Sequence, residues 1–308
     1  MARPHLILPV GTQVVSRIEI RDSKGKILCP EGAVGVIAKA PADGTHSYLV
    51  KLPDGSEVPL RRNNLTIRKH QQREDLEAIT AANTEDEELF QSVIYRCVVG
   101  SRAYGLEHDE SDLDVRGIYL PPADLHWSLY GVPEQIERKD TDEAYWEIQK
   151  FLSMALKANP NVLECLYTPV VELCLPPADE LIAERSRFLS KMVYQTYNGY
   201  VLSQFKKLEQ DLRTVGEIRW KHAMHLIRLQ LAGIAALTEG RVPVRVDGEF
   251  REPLLAIRRN EVPWKEVEAW RLELHEKFDA ALASSPLPDR PDYLWANDFL
   301  IRARRRMV

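Results

Sequence analysis

Cysteine is scarce in this sequence, and its few copies form no recognisable pair. Only four of the 308 residues are cysteine, and none of them makes a Cys-x-x-Cys unit. Metal ribbons and disulfide frameworks need such spacings, so neither is expected, and a reducing cytoplasm is the predicted location. No stretch approaches the roughly 18 consecutive apolar residues of a membrane-spanning helix, so a membrane partner is not expected either.

Several common catalytic signatures are also missing. There is no Walker A loop, no zinc-ligand spacing and no Ser-His-Asp order that would favour an ATPase, a metalloprotein or a hydrolase. The composition is ordinary, because 44% hydrophobic and 28% charged residues exclude wholesale disorder, collagen and a coiled coil. The charge is uneven: residues 1–70, 71–180 and 181–308 carry +5, −15 and +5. An acidic middle fits either a metal-binding centre beside surfaces for a polyanion or ordinary solvated charge.

The pattern divides the chain into three segments of an α+β protein. Residues 1–70 contain short β-branched runs separated by turns, which predicts a small closed β-barrel of the SH3 type. Such a barrel would be a docking or spacer module, or a contact for RNA. Residues 71–178 mix apolar strands with short helices and are expected to form a catalytic core. Residues 179–308 have mainly helical periodicity and are expected to form a helical domain.

The stretch that carries chemistry begins with Gly100 and Ser101, directly after an apolar strand predicted over 92–99. Asp112 and Asp114 follow about ten residues later, inside a second predicted strand. A glycine at a strand end lets backbone approach a ligand, and free N–H groups at a following helix start attract phosphate. Residues i and i+2 of a strand share one face, so the two aspartates are expected to project together and hold Mg²⁺ or Mn²⁺.

A third carboxylate would complete such a metal site. Glu143 and Glu147 share one face of a strand predicted over 141–148. Glu147 lies nearer the end of this strand and is the preferred metal ligand and catalytic residue, with Glu143 as the alternative. A carboxylate at either position could bind the catalytic metal and help to deprotonate an attacking hydroxyl.

These motifs resemble the signature of the DNA polymerase β-like nucleotidyltransferase superfamily, in which strand, Gly-Ser and helix precede Asp-x-Asp on the next strand. The residues of the motifs most resemble one branch of the superfamily, the RlaP/YcgL-like predicted nucleotidyltransferases associated with RNA ligases. The resemblance covers about residues 92–275. It rests on residues 100–106 (GSRAYGL), 111–121 (SDLDVRGIYLP), 158–164 (ANPNVLE) and 221–228 (KHAMHLIR).

The resemblance implies a polymerase β-like core with a mixed sheet, followed by a helical domain. It implies that the nucleoside triphosphate (NTP) is cradled by Gly100 and Ser101. Phosphate contacts are expected from Arg102 and Arg116, although Arg116 could equally brace the two aspartates from behind. The implied metal ligands are Asp112, Asp114 and Glu147. Lys221 and Arg228 are the helical residues expected to face the nucleotide.

The predicted reaction is attack of an acceptor hydroxyl on the α-phosphate of an NTP, with pyrophosphate leaving. The expected acceptor is an RNA end, resembling that of a tRNA, because the branch is associated with RNA ligases and the flanks of this chain are basic. The alternatives are transfer to a protein side chain, as in nucleotidylating toxins, and a catalytically silent regulator that binds nucleotide or RNA. For Lys221 and Arg228 the alternative is that they form part of a polar helix face beside an apolar stripe, without contacting the nucleotide.

Overall fold

A computed structural model describes residues 7–22, 24–41, 46–68, 86–107 and 112–308 of the chain. The chain divides into two compact units, Met1–Asn83 and Thr84–Val308. The boundary predicted between the catalytic core and the helical domain, at 178/179, falls inside the second unit. Within the described ranges, no helix combines the length and the apolar composition needed to cross a membrane.

The first unit is built from short strands. Its main sheet is antiparallel with the order β6-β5-β4-β1-β7, and alternating buried side chains such as Val14, Ile37 and Val50 form its core. β2 and β3 pair only with each other, so the described strands make an open sheet plus a separate hairpin. The closed SH3-like barrel predicted for 1–70 is therefore not confirmed. The strands are β1 (Gln13–Ser16), β2 (Ile20–Arg21), β3 (Ile27–Cys29), β4 (Val34–Lys39), β5 (Tyr48–Lys51), β6 (Glu57–Leu60) and β7 (Leu65–Ile67).

The second unit contains a mixed five-stranded sheet with the order β10-β11-β9-β8-β12. β9 and β11 are parallel, whereas the other neighbours are antiparallel. Together with the helices, this sheet confirms the predicted α+β class. The strands are β8 (Val93–Val99), β9 (Asp114–Tyr119), β10 (Gln135–Arg138), β11 (Glu143–Glu147) and β12 (Val171–Cys174).

Eleven helices are present in the described part of the second unit, and long ones dominate its C-terminal half. α8 is central, because it packs against α7, α9 and α10 and is apolar on most sides. Gly233 in α8 lies so close to Phe278 that a Cβ there would meet its ring. The helices are α1 (Asp86–Phe90), α2 (Gly100–Tyr104), α3 (Ala123–Trp127), α4 (Ile148–Ala155), α5 (Pro160–Tyr167), α6 (Ala178–Ala183), α7 (Met192–Val215), α8 (Trp220–Glu239), α9 (Arg251–Arg258), α10 (Trp264–Ser284) and α11 (Tyr293–Arg305).

The two faces of the second sheet pack into different cores. Ile118 of β9 belongs to a large cluster with Phe151 of α4 and the C-terminal helices. Val115 and Tyr119, on the other face of the same strand, belong to a small cluster with Leu89 of α1. Because side chains alternate along a strand, even-numbered residues of β9 face the large cluster and odd-numbered residues face the small one.

Candidate active site

Gly100 joins β8 to α2 and lies directly against Asp114. The last residue of β8, Val99, pairs with Asp114, so the end of β8 meets the start of β9. Gly100 has a positive φ of 71°, a conformation that only glycine adopts without cost. A Cβ added at Gly100 would collide with Oδ2 of Asp114. The glycine therefore allows the carboxylate and the backbone at the start of α2 to lie in contact.

Ser101 and Arg102 form the first turn of α2 with different exposure. Ser101 is buried, at 9% exposure, whereas Arg102 is exposed. α2 ends at Gly105, whose φ of 69° closes the helix in the left-handed conformation. The backbone N–H of Val246 donates to the Tyr104 carbonyl at 2.9 Å and holds this end of α2.

The two aspartates of the Asp-x-Asp motif have different positions. Asp114 is the first residue of β9 and is partly buried. Asp112 is exposed and precedes the strand instead of lying within it. The strand predicted to include both residues therefore begins two positions later than expected, at Asp114.

Asp142 is the acidic residue that the structure brings to Asp114. It occupies the turn before β11, with a positive φ of 49°. Arg116 holds this turn, because its guanidinium donates to the Asp142 carbonyl at 2.6 Å and to the Asp142 carboxylate at 3.1 Å. Arg116 also lies 3.9 Å from Oδ1 of Asp114. The structure thus places Arg116 as a brace between the two carboxylates.

The surroundings of Asp114, including Asp142, change the pKa of its carboxyl group. Burial, and then the hydrogen bond and the negative charge of Asp142, raise the pKa of Asp114. The positive charges of Arg116 and Lys221 oppose this shift without cancelling it. Two carboxylates so close together favour sharing a proton or binding a cation.

Glu147, the preferred third carboxylate, is not brought to Asp114. In the parallel register Glu147 pairs with Tyr119 at the far end of β9, five residues or roughly 16 Å along the strand from Asp114. Its carboxylate caps α4 by accepting from the N–H of Gln149 at 2.8 Å and pairs with Arg304 at 2.9 Å. These contacts give Glu147 a structural role at the start of α4.

Glu143, the alternative, is near the correct end of the strand but on the wrong face. It pairs with Val115, so it shares the face opposite to Asp114. Its carboxylate is buried, bonded to Arg96 at 3.0 Å and to the hydroxyl of Tyr145 at 2.7 Å. The hydrogen bonds from Tyr145 and Thr141 and the charge of Arg96 outweigh burial and lower the pKa of Glu143.

Lys221 and Arg228, predicted on one helix face, lie in different surroundings. Lys221 is exposed in the first turn of α8, near enough to Asp114 to influence its pKa. Arg228 is 1% exposed, stacks on the Tyr104 ring with Cζ 3.6 Å from the ring centroid, and forms an ion pair with Glu164. The structure therefore places Lys221 near Asp114 and Arg228 in the core.

A comparison with protein families shows which family this chain belongs to. The model of the RNA repair pathway DNA polymerase beta family, RlaP, matches residues 67–302. The chain belongs to the RlaP family. RlaP membership confirms the resemblance to the polymerase β-like family.

Two curated proteins are similar to this RlaP-family chain, and both are described as uncharacterized. The protein YcgL of Bacillus subtilis (strain 168) is 35% identical over 82 residues, which cover 26% of this chain and 32% of YcgL. A 38.9 kDa protein in the nrdC-mobD intergenic region of Enterobacteria phage T4 is 26% identical over 203 residues, covering 60% of this chain and 56% of the phage protein. The matches thus span about a third and about half of these relatives.

Proteins of the polymerase β type typically use divalent metal ions, and the RlaP-family chain offers oxygen ligands for one. Within the described ranges, no group of three or more His, Cys, Asp or Glu side chains is placed to hold a metal. The pair formed by Asp114 and Asp142 nevertheless fits, because two adjoining carboxylates need a proton or a cation between them and Mg²⁺ prefers oxygen. Asp112 precedes the pair in the chain and is exposed.

Asp142 is the acidic neighbour of Asp114 that the sequence interpretation did not consider. Its signal was the parallel pairing of β9 and β11, because parallel strands begin at the same edge of a sheet. Asp114 begins β9, so an acidic partner must lie at the beginning of β11 and not at its end. Asp142 occupies that position, one residue before the strand.

Proposed function

We propose that this chain is a metal-dependent nucleotidyltransferase that moves a nucleoside monophosphate from an NTP to an acceptor hydroxyl. The acceptor oxygen forms a bond to the α-phosphorus, the bond to the β-phosphate oxygen breaks, and pyrophosphate leaves with its electron pair. The observation that carries the proposal is the meeting of Gly100, Asp114 and Asp142 at the shared edge of β8, β9 and β11.

The residues around this edge have distinct roles in the proposal. Asp114 and Asp142, with Asp112 from the preceding segment, would hold Mg²⁺ or Mn²⁺. When bound, the metal ions neutralise the triphosphate and lower the pKa of the attacking hydroxyl. Gly100 lets the backbone at the start of α2 lie against Asp114, and the positive charge of Lys221 acts on the same carboxylate.

Arg116, Ser101 and Arg102 complete the proposed site. Arg116 keeps the Asp142 turn in place through its two hydrogen bonds. Because its guanidinium is used in this way, a phosphate contact by Arg116 would require it to leave Asp142. Ser101 and Arg102 stand at the start of α2, where a hydroxyl and an exposed cation are suited to phosphate oxygens.

An RNA end is the proposed acceptor. The description of the matched family names an RNA repair pathway, and residues 181–308 of this chain carry a net charge of +5. A basic surface attracts a polyanion even where the whole chain is acidic, because local charge governs the encounter. The cytoplasmic location and the tRNA-like form of the RNA end remain predictions.

The test is incubation of the protein with each α-³²P-labelled NTP, Mg²⁺ or Mn²⁺, total RNA and cell lysate, followed by a denaturing gel. We expect label in an RNA band, lowered at least about 100-fold by Asp114→Asn and by Asp142→Asn. Asp140→Asn is the matched control, because Asp140 is exposed on the same turn, and it should label RNA as the wild type does.

The other outcomes each point to a different function. Label confined to a protein band would replace the RNA acceptor by a protein side chain, as in nucleotidylating toxins. No label with any NTP would favour a silent nucleotide- or RNA-binding regulator. Loss of labelling in Glu147→Gln, with Asp142→Asn fully active and both variants folded by circular dichroism, would contradict the assignment of Asp142.

A further inference from the structure

A cavity of about 460 Å³ lies among the C-terminal helices of the second unit. Its walls come from the second half of α8, the segment 241–250 and one face of α10. None of Gly100, Ser101, Asp112, Asp114 or Asp142 lines it. Arg228, which does line it, follows Lys221 by seven residues, or about 10 Å along α8. The cavity is therefore separate from the proposed active site.

Arg228 is the buried cation of this cavity, and part of its hydrogen-bonding capacity is unused. Nη2 of Arg228 donates to Glu164, and the guanidinium plane stacks on Tyr104. Its Nε and Nη1 find no acceptor among the described residues. Both atoms are buried from solvent, so Arg228 acts on a ligand in the cavity through its positive charge and not through a direct hydrogen bond.

The cavity walls suit a flat apolar body. Trp270 and Phe250 both line the cavity, and Phe250 is exposed, at 38% of its surface, despite being aromatic. Leu231 and Ala235 of α8 add aliphatic surface. Small-molecule sites generally combine such apolar and aromatic walls with a few polar groups that fix orientation.

The remaining cations of the cavity are available to an anionic group. Arg241, Arg245 and Lys277 line it and are exposed. Each is paired with an acid close to it in sequence, at 2.7 Å, 3.2 Å and 2.7 Å from Glu239, Asp247 and Glu273. Exposed pairs of this kind contribute little to stability, so these side chains can turn toward a ligand anion at little cost.

We propose that this cavity binds a small organic anion with a flat ring. The ring packs against Trp270 and Phe250, and the anionic group meets Arg241, Arg245 and Lys277. Nucleoside phosphates and aromatic carboxylates share this chemistry. The proposal does not depend on nucleotidyl transfer, because binding is measured without metal or turnover.

The test is calorimetric titration of the full chain in EDTA with AMP, ADP, indole-3-acetate and 4-hydroxybenzoate. We expect at least one probe to bind with a Kd below 1 mM, and the probe that binds distinguishes nucleotides from carboxylates. Ala235→Phe fills the cavity and should weaken this binding at least tenfold. Ala269→Phe is the matched control, since Ala269 is exposed on α10 and does not line the cavity.

Two further variants keep the result interpretable. Arg245→Glu reverses an exposed charge in the cavity without inserting bulk, and it should weaken binding at least threefold even if Ala235→Phe fails to fold. Asp114→Asn should leave the Kd unchanged. Absence of binding by all four probes, or binding that Asp114→Asn abolishes and Ala235→Phe and Arg245→Glu do not, would overturn the proposal.

Discussion

Gly100 is the residue on which the geometry of the proposed site depends. Other residues adopt its positive φ only with strain, and Asp114 occupies the space that a Cβ at position 100 would need. The same atom-sized gap thus permits both the turn from β8 into α2 and the contact between backbone and carboxylate. A side chain here would disturb the fold and the site together.

We expect Gly100→Ala to lower the free energy of unfolding by about 2 kcal/mol, because it adds both backbone strain and a collision with Asp114. Gly199→Ala is the matched control, since Gly199 lies inside α7 with nothing within 4 Å of the added Cβ. That control should stabilise the chain by about 0.5–1 kcal/mol. Urea denaturation measures both, and equal effects of the two substitutions would contradict the strained role of Gly100.

Asp114 gives a pH-dependent prediction. Its pKa is raised in the folded chain, so the folded state binds the proton more tightly than the unfolded state. The stabilisation is complete below the ordinary aspartate pKa of about 3.9 and is lost as pH rises through the raised value. In EDTA at pH 7, Asp114→Asn should therefore raise the free energy of unfolding by about 1 kcal/mol.

Urea denaturation at two pH values checks this sign. The advantage of Asp114→Asn should shrink below about pH 4, where Asp114 of the wild type is protonated in both states. Asp140→Asn, an exposed control on the Asp142 turn, should change stability by less than about 0.5 kcal/mol at either pH. Destabilisation by Asp114→Asn at neutral pH would show that Arg116 and Lys221 outweigh Asp142.

At the scale of elements, apolar runs predicted where a strand lies but not how it pairs with its neighbours. The strand predicted over 92–99 is β8 (Val93–Val99). Asn159 caps α5, because its side chain accepts from the Asn161 N–H at 3.0 Å. The continuous helix α7 contains Gly199, although glycine has a low helix propensity. Buried packing along α7 overrides the low helix propensity of one glycine.

The positions of Glu143 and Glu147 away from Asp114 depend on strand register, which no local pattern contains. Alternation along β11 correctly puts Glu143 and Glu147 on one face. Which face that is depends on the pairing of Glu143 with Val115, a contact between residues 28 apart in sequence. A one-residue change of register would have turned both glutamates to the sheet face of Asp114, with Glu147 still at the far end of the strand. Register is set by packing in the two cores, so it became visible only in three dimensions.

The Arg228–Glu164 pair links α8 to α5 beside α2, and its loss should be costly. Both side chains are almost fully buried, at 1% and 3% exposure, and the Tyr104 hydroxyl donates to Glu164 at 2.6 Å. Glu164→Gln leaves the Arg228 charge without a counter-ion and should lower the free energy of unfolding by about 3–5 kcal/mol. Urea denaturation measures this loss.

The exposed pair of Glu273 and Lys277 in α10 provides the control, at 2.7 Å and 59% exposure of each side chain. Glu273→Gln should cost less than about 0.5 kcal/mol, because water and salt screen an exposed helical pair. If Glu164→Gln were equally mild, Arg228 would have to be compensated by Tyr104 and His225 alone. Burial, followed by the charge of Arg228, holds the pKa of His225 well below its usual range, so His225 is neutral near pH 7.

For the whole molecule, the division into two units predicts separable folding. The core of the first unit draws its residues from 8–67, whereas both cores of the second unit draw theirs from 89 onward. The family match begins at residue 67, within the first unit as the structure divides the chain. The segment 67–83 is therefore the one whose assignment differs between the family match and the structural units.

Two fragments, 67–308 and 84–308, test which boundary governs folding. If the units are independent, both fragments should unfold cooperatively, with midpoints within about 4 °C of the corresponding transition of the full chain. Scanning calorimetry of the full chain should then resolve two transitions. If fragment 84–308 lacked cooperative unfolding while fragment 67–308 folded, residues 67–83 would belong to the second unit. Failure of both would show that the first unit is required for the second to fold.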